Sequence, residues 1–112
     1  MANNNERSIV MKIVNDALLK GYLMNIDNGG DGFELKKKTN DINLIIDALF
    51  ATDEEYIFFY EKGNEIGKYK QIGYVYLVYN NDTDVICDYI CNEKMEELLS
   101  ESFELAQALT KR

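Results

Sequence analysis

A chain of 112 residues has room for one domain built around a single core. Its apolar and charged fractions, 46% and 29%, are those of an ordinary globular protein and exclude wholesale disorder. A net charge of −8 disfavours direct binding to a nucleic-acid backbone or an anionic membrane, since both need a basic footprint.

The charge is uneven along the chain. Residues 1–40 carry six Lys/Arg against five Asp/Glu, whereas residues 41–112 carry six against fifteen. A basic partner suits the second part, and solubility alone is the plainer account of it. Histidine, tryptophan and proline are absent. Without histidine the commonest general base and the commonest metal ligand are both missing.

Residues 1–5 read as a frayed polar start; the N-terminal stretch MANNNERS has neither a basic region nor an apolar run of signal-peptide type, and the expected location is the cytoplasm. From residues 6 to 20, Ile9, Val10, Ile13, Val14, Ala17 and Leu18 recur at helical spacing, and Gly21 can terminate the helix. Two short strands, 22–27 and 32–37, flank Asn28-Gly29-Gly30-Asp31, a hairpin turn signal. That glycine-rich turn is no phosphate loop, because it lacks the Lys-Ser/Thr ending and the strand-to-helix context.

Thr39, Asn40 and Asp41 are eligible caps for a second helix that ends near Ala51-Thr52. Its expected inner stripe is Ile42, Ile45, Ile46, Leu49 and Phe50. After Asp53-Glu54-Glu55 come an aromatic strand, 56–60, a turn at Lys62-Gly63-Asn64, and residues 66–71, which extend the next strand or form a loop.

Strand 74–79 has two apolar faces, with Val75, Leu77 and Tyr79 on one and Tyr74, Tyr76 and Val78 on the other. The turn Asn80-Asn81-Asp82-Thr83 leads into strand 84–90, where Asp88 is expected on the face of Ile86 and Ile90. A last helix, 93–109, is capped by Asn92. It has an inner stripe of Met95, Leu98, Leu99, Ser102, Ala106 and Leu109, an outer row of Glu96, Glu97, Glu101 and Glu104, and Lys111 and Arg112 at its negative end. The order α-β-β-α-β-β-β-α predicts a single-domain α+β fold: an antiparallel sheet of four to five strands with three helices.

No catalytic kit emerges, and neither a cofactor nor a metal is expected. Asn80, Asn81, Asp82, Asp84 and Asp88 fail as a calcium loop, since Val85 stands where glycine is required and Cys91 where the bidentate glutamate belongs. Two cysteines with no histidine cannot complete a zinc site or activate a nucleophile. Cys87 is expected in the core. Cys87 and Cys91, about 13 Å apart in an extended strand, fit a reduced chain better than a disulfide.

Six of the eight tyrosines (Tyr56, Tyr60, Tyr69, Tyr74, Tyr76, Tyr79) fall within residues 56–79. Tyrosine is enriched at interfaces, so this cluster is either a sheet face covered by the chain's own helices or a contact surface.

The stretches Leu77-Val78-Tyr79-Asn80-Asn81-Asp82 and Asp84-Val85-Ile86-Cys87-Asp88-Tyr89 resemble a segment of small acidic proteins from phages, prophages and plasmids. Ala48-Leu49-Phe50-Ala51-Thr52-Asp53-Glu54 and Gly73-Tyr74-Val75 have counterparts in the same group. The likeness covers about residues 18–92, with Asn80 in place of a glycine and residues 66–71 as an insertion. It implies a mobile-element protein and carries over no functional residue, since no activity is established for the group.

The resulting expectation is a non-enzymatic, acidic protein-binding module that acts on a basic partner, as an inhibitor of a host defence or nucleic-acid-handling protein would. Its partner-binding residues are expected to be Asp53, Glu54, Glu55, Tyr74, Tyr76, Asp82, Asp84 and Asp88, with the outer Glu row of the last helix as second choice. One alternative is a small-molecule-binding domain or modest enzyme with a Tyr/Asp-lined pocket of about 300 Å³ or more. Another is a homodimeric structural protein, because three helices can cover one face of the sheet more easily than both.

Overall fold

A computed structural model describes residues 2–28 and 35–110, without the side chains of 35–37. The predicted α+β order holds: α1 (Asn4–Leu19), β1 (Leu23–Asp27), β2 (Leu35–Thr39), α2 (Ile42–Ala48), β3 (Glu54–Lys62), β4 (Tyr69–Val78), β5 (Ile86–Tyr89) and α3 (Glu93–Thr110). The strands form one antiparallel sheet in the order β2-β1-β3-β4-β5. The glycine-rich turn between β1 and β2, and Lys111 and Arg112, lie outside the described residues.

All three helices pack on one side of the sheet. Ile9, Val10, Ile13, Val14 and Ala17 of α1, Ile45 and Ala48 of α2, and Met95, Leu98 and Leu99 of α3 share one core with Met24, Ile26, Ile57, Phe59, Val75 and Leu77. The strand residues in that set are alternate positions, as the pleat requires. Their neighbours Tyr56, Phe58, Tyr60, Tyr74, Tyr76 and Val78 face the other way and lie outside the core cluster.

One glycine closes a helix, a second lets a helix approach the sheet, and three caps mark where the helices start. Gly21 has φ +81 after the α1 C-cap Lys20, a conformation glycine adopts without steric cost. Gly73 sits at a bulge of β4, where a Cβ would stand 2.5 Å from Met95 Cγ; the missing side chain lets α3 lie close on the sheet. Asp41 and Asn92 each accept a backbone N–H of the following helix, from Asn43 and Met95. Asn3 and Glu6 form a full capping box at the start of α1.

Four local expectations are corrected. Residues 1–5 are not simply frayed: Asn3 caps α1, which begins at Asn4, and Ala2 is buried. The second helix is only seven residues long, and its buried set is Ile45, Ala48 and Leu49, while Ile46 is 42% exposed. Cys87 is exposed rather than in the core, and Asp88 does not share a face with Ile86. A register shift in the β4–β5 ladder sets Asp88 opposite Tyr76 and Ile86 opposite Leu77, with Cys87 between them.

Candidate functional site

Antiparallel pairing gathers aromatic rings from β3 and β4 into one patch on the side of the sheet away from the helices. Tyr56 pairs with Tyr76 and Phe58 with Tyr74 across the ladder. Their rings meet at 4.6 Å for Tyr56–Tyr76, 5.7 Å for Tyr56–Tyr74, and 5.9 Å for both Tyr56–Phe58 and Phe58–Tyr74. Such separations lie in the range where aromatic pairs attract beyond their buried area. Among the described residues, no helix contributes to this face.

The patch is polar at both ends, with opposite signs. At one end the Lys38 ammonium lies 4.9 Å from the centre of the Tyr60 ring and 5.9 Å from that of Tyr69, a cation–π contact within the chain; Lys62 pairs with Tyr69 nearby. At the other end Glu54 accepts a 2.6 Å hydrogen bond from the Tyr76 hydroxyl, and Asp88 stands across from Tyr76. That bond, burial and the Glu54 charge push the Tyr76 phenol up to about 12. The exposed groups Lys38, Lys62, Glu54 and Asp88 thus frame an aromatic centre.

The expected site residues divide accordingly. Glu54, Tyr74, Tyr76 and Asp88 come together on the open face. Asp53 is exposed just before β3, and its carbonyl accepts the Tyr79 N–H at 2.9 Å. Asp82 and Asp84 are exposed in the β4–β5 connection, outside the aromatic patch, and the Asp82 carbonyl accepts from Asn3 Nδ2.

Glu55 is the clear correction. It is fully buried on the helix side and cannot contact a partner. It accepts hydrogen bonds from the Phe50 N–H at 2.7 Å, the Ala51 N–H at 3.3 Å and the Tyr79 hydroxyl at 2.6 Å. Lys38, Tyr56, Phe58 and Lys62 belong to the open face and were not among the expected partner-binding residues, although Tyr56 stood in the tyrosine cluster. Strand parity with Tyr56 identifies Phe58, whereas nothing local marks Lys38.

Glu6 plays the same structural part at the other signature turn. Fully buried, it accepts the N–H groups of Asn80 at 3.0 Å and Asn81 at 2.8 Å, besides that of Asn3. Asn80 and Asp82 there have positive φ, 64 and 60. Asparagine and aspartate tolerate this region better than other non-glycine residues. The residues singled out by resemblance around Phe50–Ala51 and Asn80–Asn81 therefore serve, in this chain, to anchor turns to buried carboxylates.

Burial and the neighbouring Glu55 carboxylate push the Tyr79 phenol far above its ordinary value. The folded state keeps the Tyr79 proton while the unfolded chain loses it above about pH 10. Its contribution to stability is therefore complete below that pH and falls above it, by about 1.4 kcal/mol per pH unit for one proton. Urea midpoints measured between pH 8 and 11 should decline more steeply for the wild type than for Tyr79→Phe. Parallel declines would show that Tyr79 ionises in the folded state.

The outer Glu row of α3 is largely engaged within the chain. Glu97 pairs with Lys20 at 3.2 Å and Glu101 with Lys12 at 3.3 Å. Glu96 accepts from Cys91 Sγ and the Tyr89 hydroxyl, and these bonds hold its carboxyl below the usual range. The same carboxylate raises the Cys91 thiol, the direction opposite to nucleophile activation.

A cleft of about 480 Å³ between the β4–β5 connection and the end of α3 is lined by Thr83, Asp84, Phe103, Ala106, Gln107 and Thr110. Its size meets the small-molecule expectation, but Asp84 is the one acidic residue in its lining and no tyrosine lines it. Among the described residues, no group of three His, Cys, Asp or Glu side chains converges on a metal position. Among the described residues, no helix is long and apolar enough to cross a membrane. Comparison with known proteins gave no matching family model, no matching curated protein and no matching solved structure.

Proposed function

We propose that this chain is a non-enzymatic protein-binding module of a mobile element, docking a basic protein through the acidic end of its open sheet face. The observation that carries this reading is the uncovered aromatic patch Tyr56, Phe58, Tyr74 and Tyr76 beside the Glu54 and Asp88 carboxylates. An arginine or lysine side chain entering there meets aromatic faces and carboxylates together, the chemistry that desolvated cations need. Tyrosine supplies large contact area with few rotors to freeze, and rim carboxylates steer a basic partner. The mobile-element assignment rests on the resemblance of residues 18–92, and inhibition of a host defence or nucleic-acid-handling protein is the role that fits it.

Immobilised wild type and a Tyr76→Lys/Asp88→Lys variant, both folded by circular dichroism, are to be challenged with lysate of the native host. A basic protein should be retained by the wild type, be lost by at least tenfold on the variant, and elute as salt rises. Equal retention by both would remove the open face from the binding surface.

A further inference from the structure

We infer that the open face is self-complementary: without its partner, it closes on a second copy of this chain in a face-to-face, two-fold dimer. The inference rests on reading that face as an interface, and adds what occupies it at rest. It comes from the arrangement of charge around the aromatic centre. Lys38 and Lys62 lie at one end of the patch, Glu54 and Asp88 at the other.

Glu54 and Lys62 begin and end β3, so the two ends stand about 27 Å apart at the usual strand rise. A two-fold axis in the plane of the face, perpendicular to β3, runs the strands of the two copies in opposite directions. Lys62 of each copy then meets Glu54 of the other, twice over, as an isologous interface requires. The rings of Phe58 and Tyr74, midway between the two ends, meet their own images near the axis, and Tyr56 and Tyr76 face the level of Tyr60 in the other copy.

The chain itself shows the contact that would form. Lys38 already rests on the rings of Tyr60 and Tyr69, and Lys62 of the second copy would reach an aromatic–carboxylate setting at Tyr76 and Glu54. Five strands of four to ten residues, about 4.8 Å apart and rising about 3.4 Å per residue, make a face on the order of 500 Å² in plan. With side-chain relief this approaches the roughly 800 Å² per partner of a stable interface.

The sheet edges offer no comparable route. Edge strand β2 carries three consecutive lysines, and edge strand β5 is four residues long beside a register shift. A basic partner would compete with face stacking, since its cations would take the place of the second copy's Lys62 at Glu54.

The test uses the full chain in sedimentation velocity and light scattering from 1 to 200 µM. The wild type should run at twice 12.9 kDa. Lys38→Glu/Lys62→Glu makes both ends of the face acidic, and Glu54→Lys/Asp88→Lys makes both basic. Each should weaken its own dimer on the order of 100-fold, and an equimolar mixture of the two should recover a dimer containing one copy of each. All four positions are exposed, and circular dichroism checks the folding of each variant.

A monomeric wild type over the whole range overturns the inference, as does either folded variant dimerising like the wild type or a mixture that stays monomeric. A monomeric wild type whose retention of a basic partner is still lost in Tyr76→Lys/Asp88→Lys would sink the dimer and leave the docking reading standing. A dimer that behaves as described, with no effect of that variant on partner retention, would do the reverse.

Discussion

Replacing Glu55 with alanine is expected to cost about 3–5 kcal/mol, a large part of the 5–15 kcal/mol that holds a domain of this size together. The carboxylate has no exposed surface and satisfies three donors: two backbone N–H groups at the α2–β3 connection and the hydroxyl of Tyr79 at the end of β4. Truncation leaves all three in a dry site, at about 1–3 kcal/mol for each unsatisfied group before relaxation. The same carboxylate holds Phe50 at φ 65, a region a bulky residue rarely occupies; the Phe50 ring also packs on Tyr79 at 5.6 Å and under the Arg7 guanidinium at 4.6 Å.

Burial raises the Glu55 carboxyl above its ordinary value, against the lowering effect of its hydrogen bonds. The folded state therefore binds this proton more tightly than the unfolded chain. The titration favours folding below the ordinary carboxyl value, and that advantage is lost as pH rises through the raised one. Urea denaturation followed by far-UV circular dichroism at pH 7 decides the main point. A loss below about 1 kcal/mol would mean that water replaces the carboxylate and that the two connections do not depend on it.

Two neighbouring isoleucines of α2 should answer the same substitution in opposite ways. Ile45 is fully buried in the core shared with α1 and the sheet, whereas Ile46 is 42% exposed. Ile45→Asp places a carboxylate in an apolar site with no partner, a cost of several kcal/mol expected to leave the chain largely unfolded at 25 °C. Ile46→Asp removes exposed apolar surface and should change stability by about 0.5 kcal/mol or less. Thermal melts of the two variants side by side are the measurement. A folded Ile45→Asp, or an unfolded Ile46→Asp, would place α2 in a different rotation.

That contrast shows where reading the chain alone stops. A seven-residue helix makes about two turns, and the run of Ile42, Ile45, Ile46, Leu49 and Phe50 fits more than one phase of the 3.6-residue period over so short a length. The longer α1 and α3 leave no such freedom. Ile9, Val10, Ile13, Val14 and Ala17, and likewise Met95, Leu98, Leu99 and Ser102, were expected inside and are buried there. Strand β4 was equally legible, since an alternation of Val75, Leu77 and Tyr79 with Tyr74, Tyr76 and Val78 assigns each residue to a side whatever surrounds it.

Alternation does not say which side is covered. Both faces of β4 are apolar or aromatic, and only the packing of all three helices on one side makes Val75 core and Tyr76 surface. Glu55 illustrates the same division of labour. In sequence it belongs to an acidic run, Asp53-Glu54-Glu55, with nothing to separate it from its neighbours. In the sheet it shares parity with Ile57 and Phe59, while Glu54 shares parity with Tyr56. Its hydrogen-bond partner Tyr79 is twenty-four residues away and reaches it only because β3 and β4 pair.

Cys87 and Asp88 were misplaced because one unpaired residue in a ladder reverses the side of those around it, and a register shift of that kind leaves no periodic trace. The chain's local chemistry thus determined the elements, their order and the two sides of each long one. Contacts between residues far apart in sequence decided which side became core, which acids became anchors, and that Lys38 and Glu54 frame the same face.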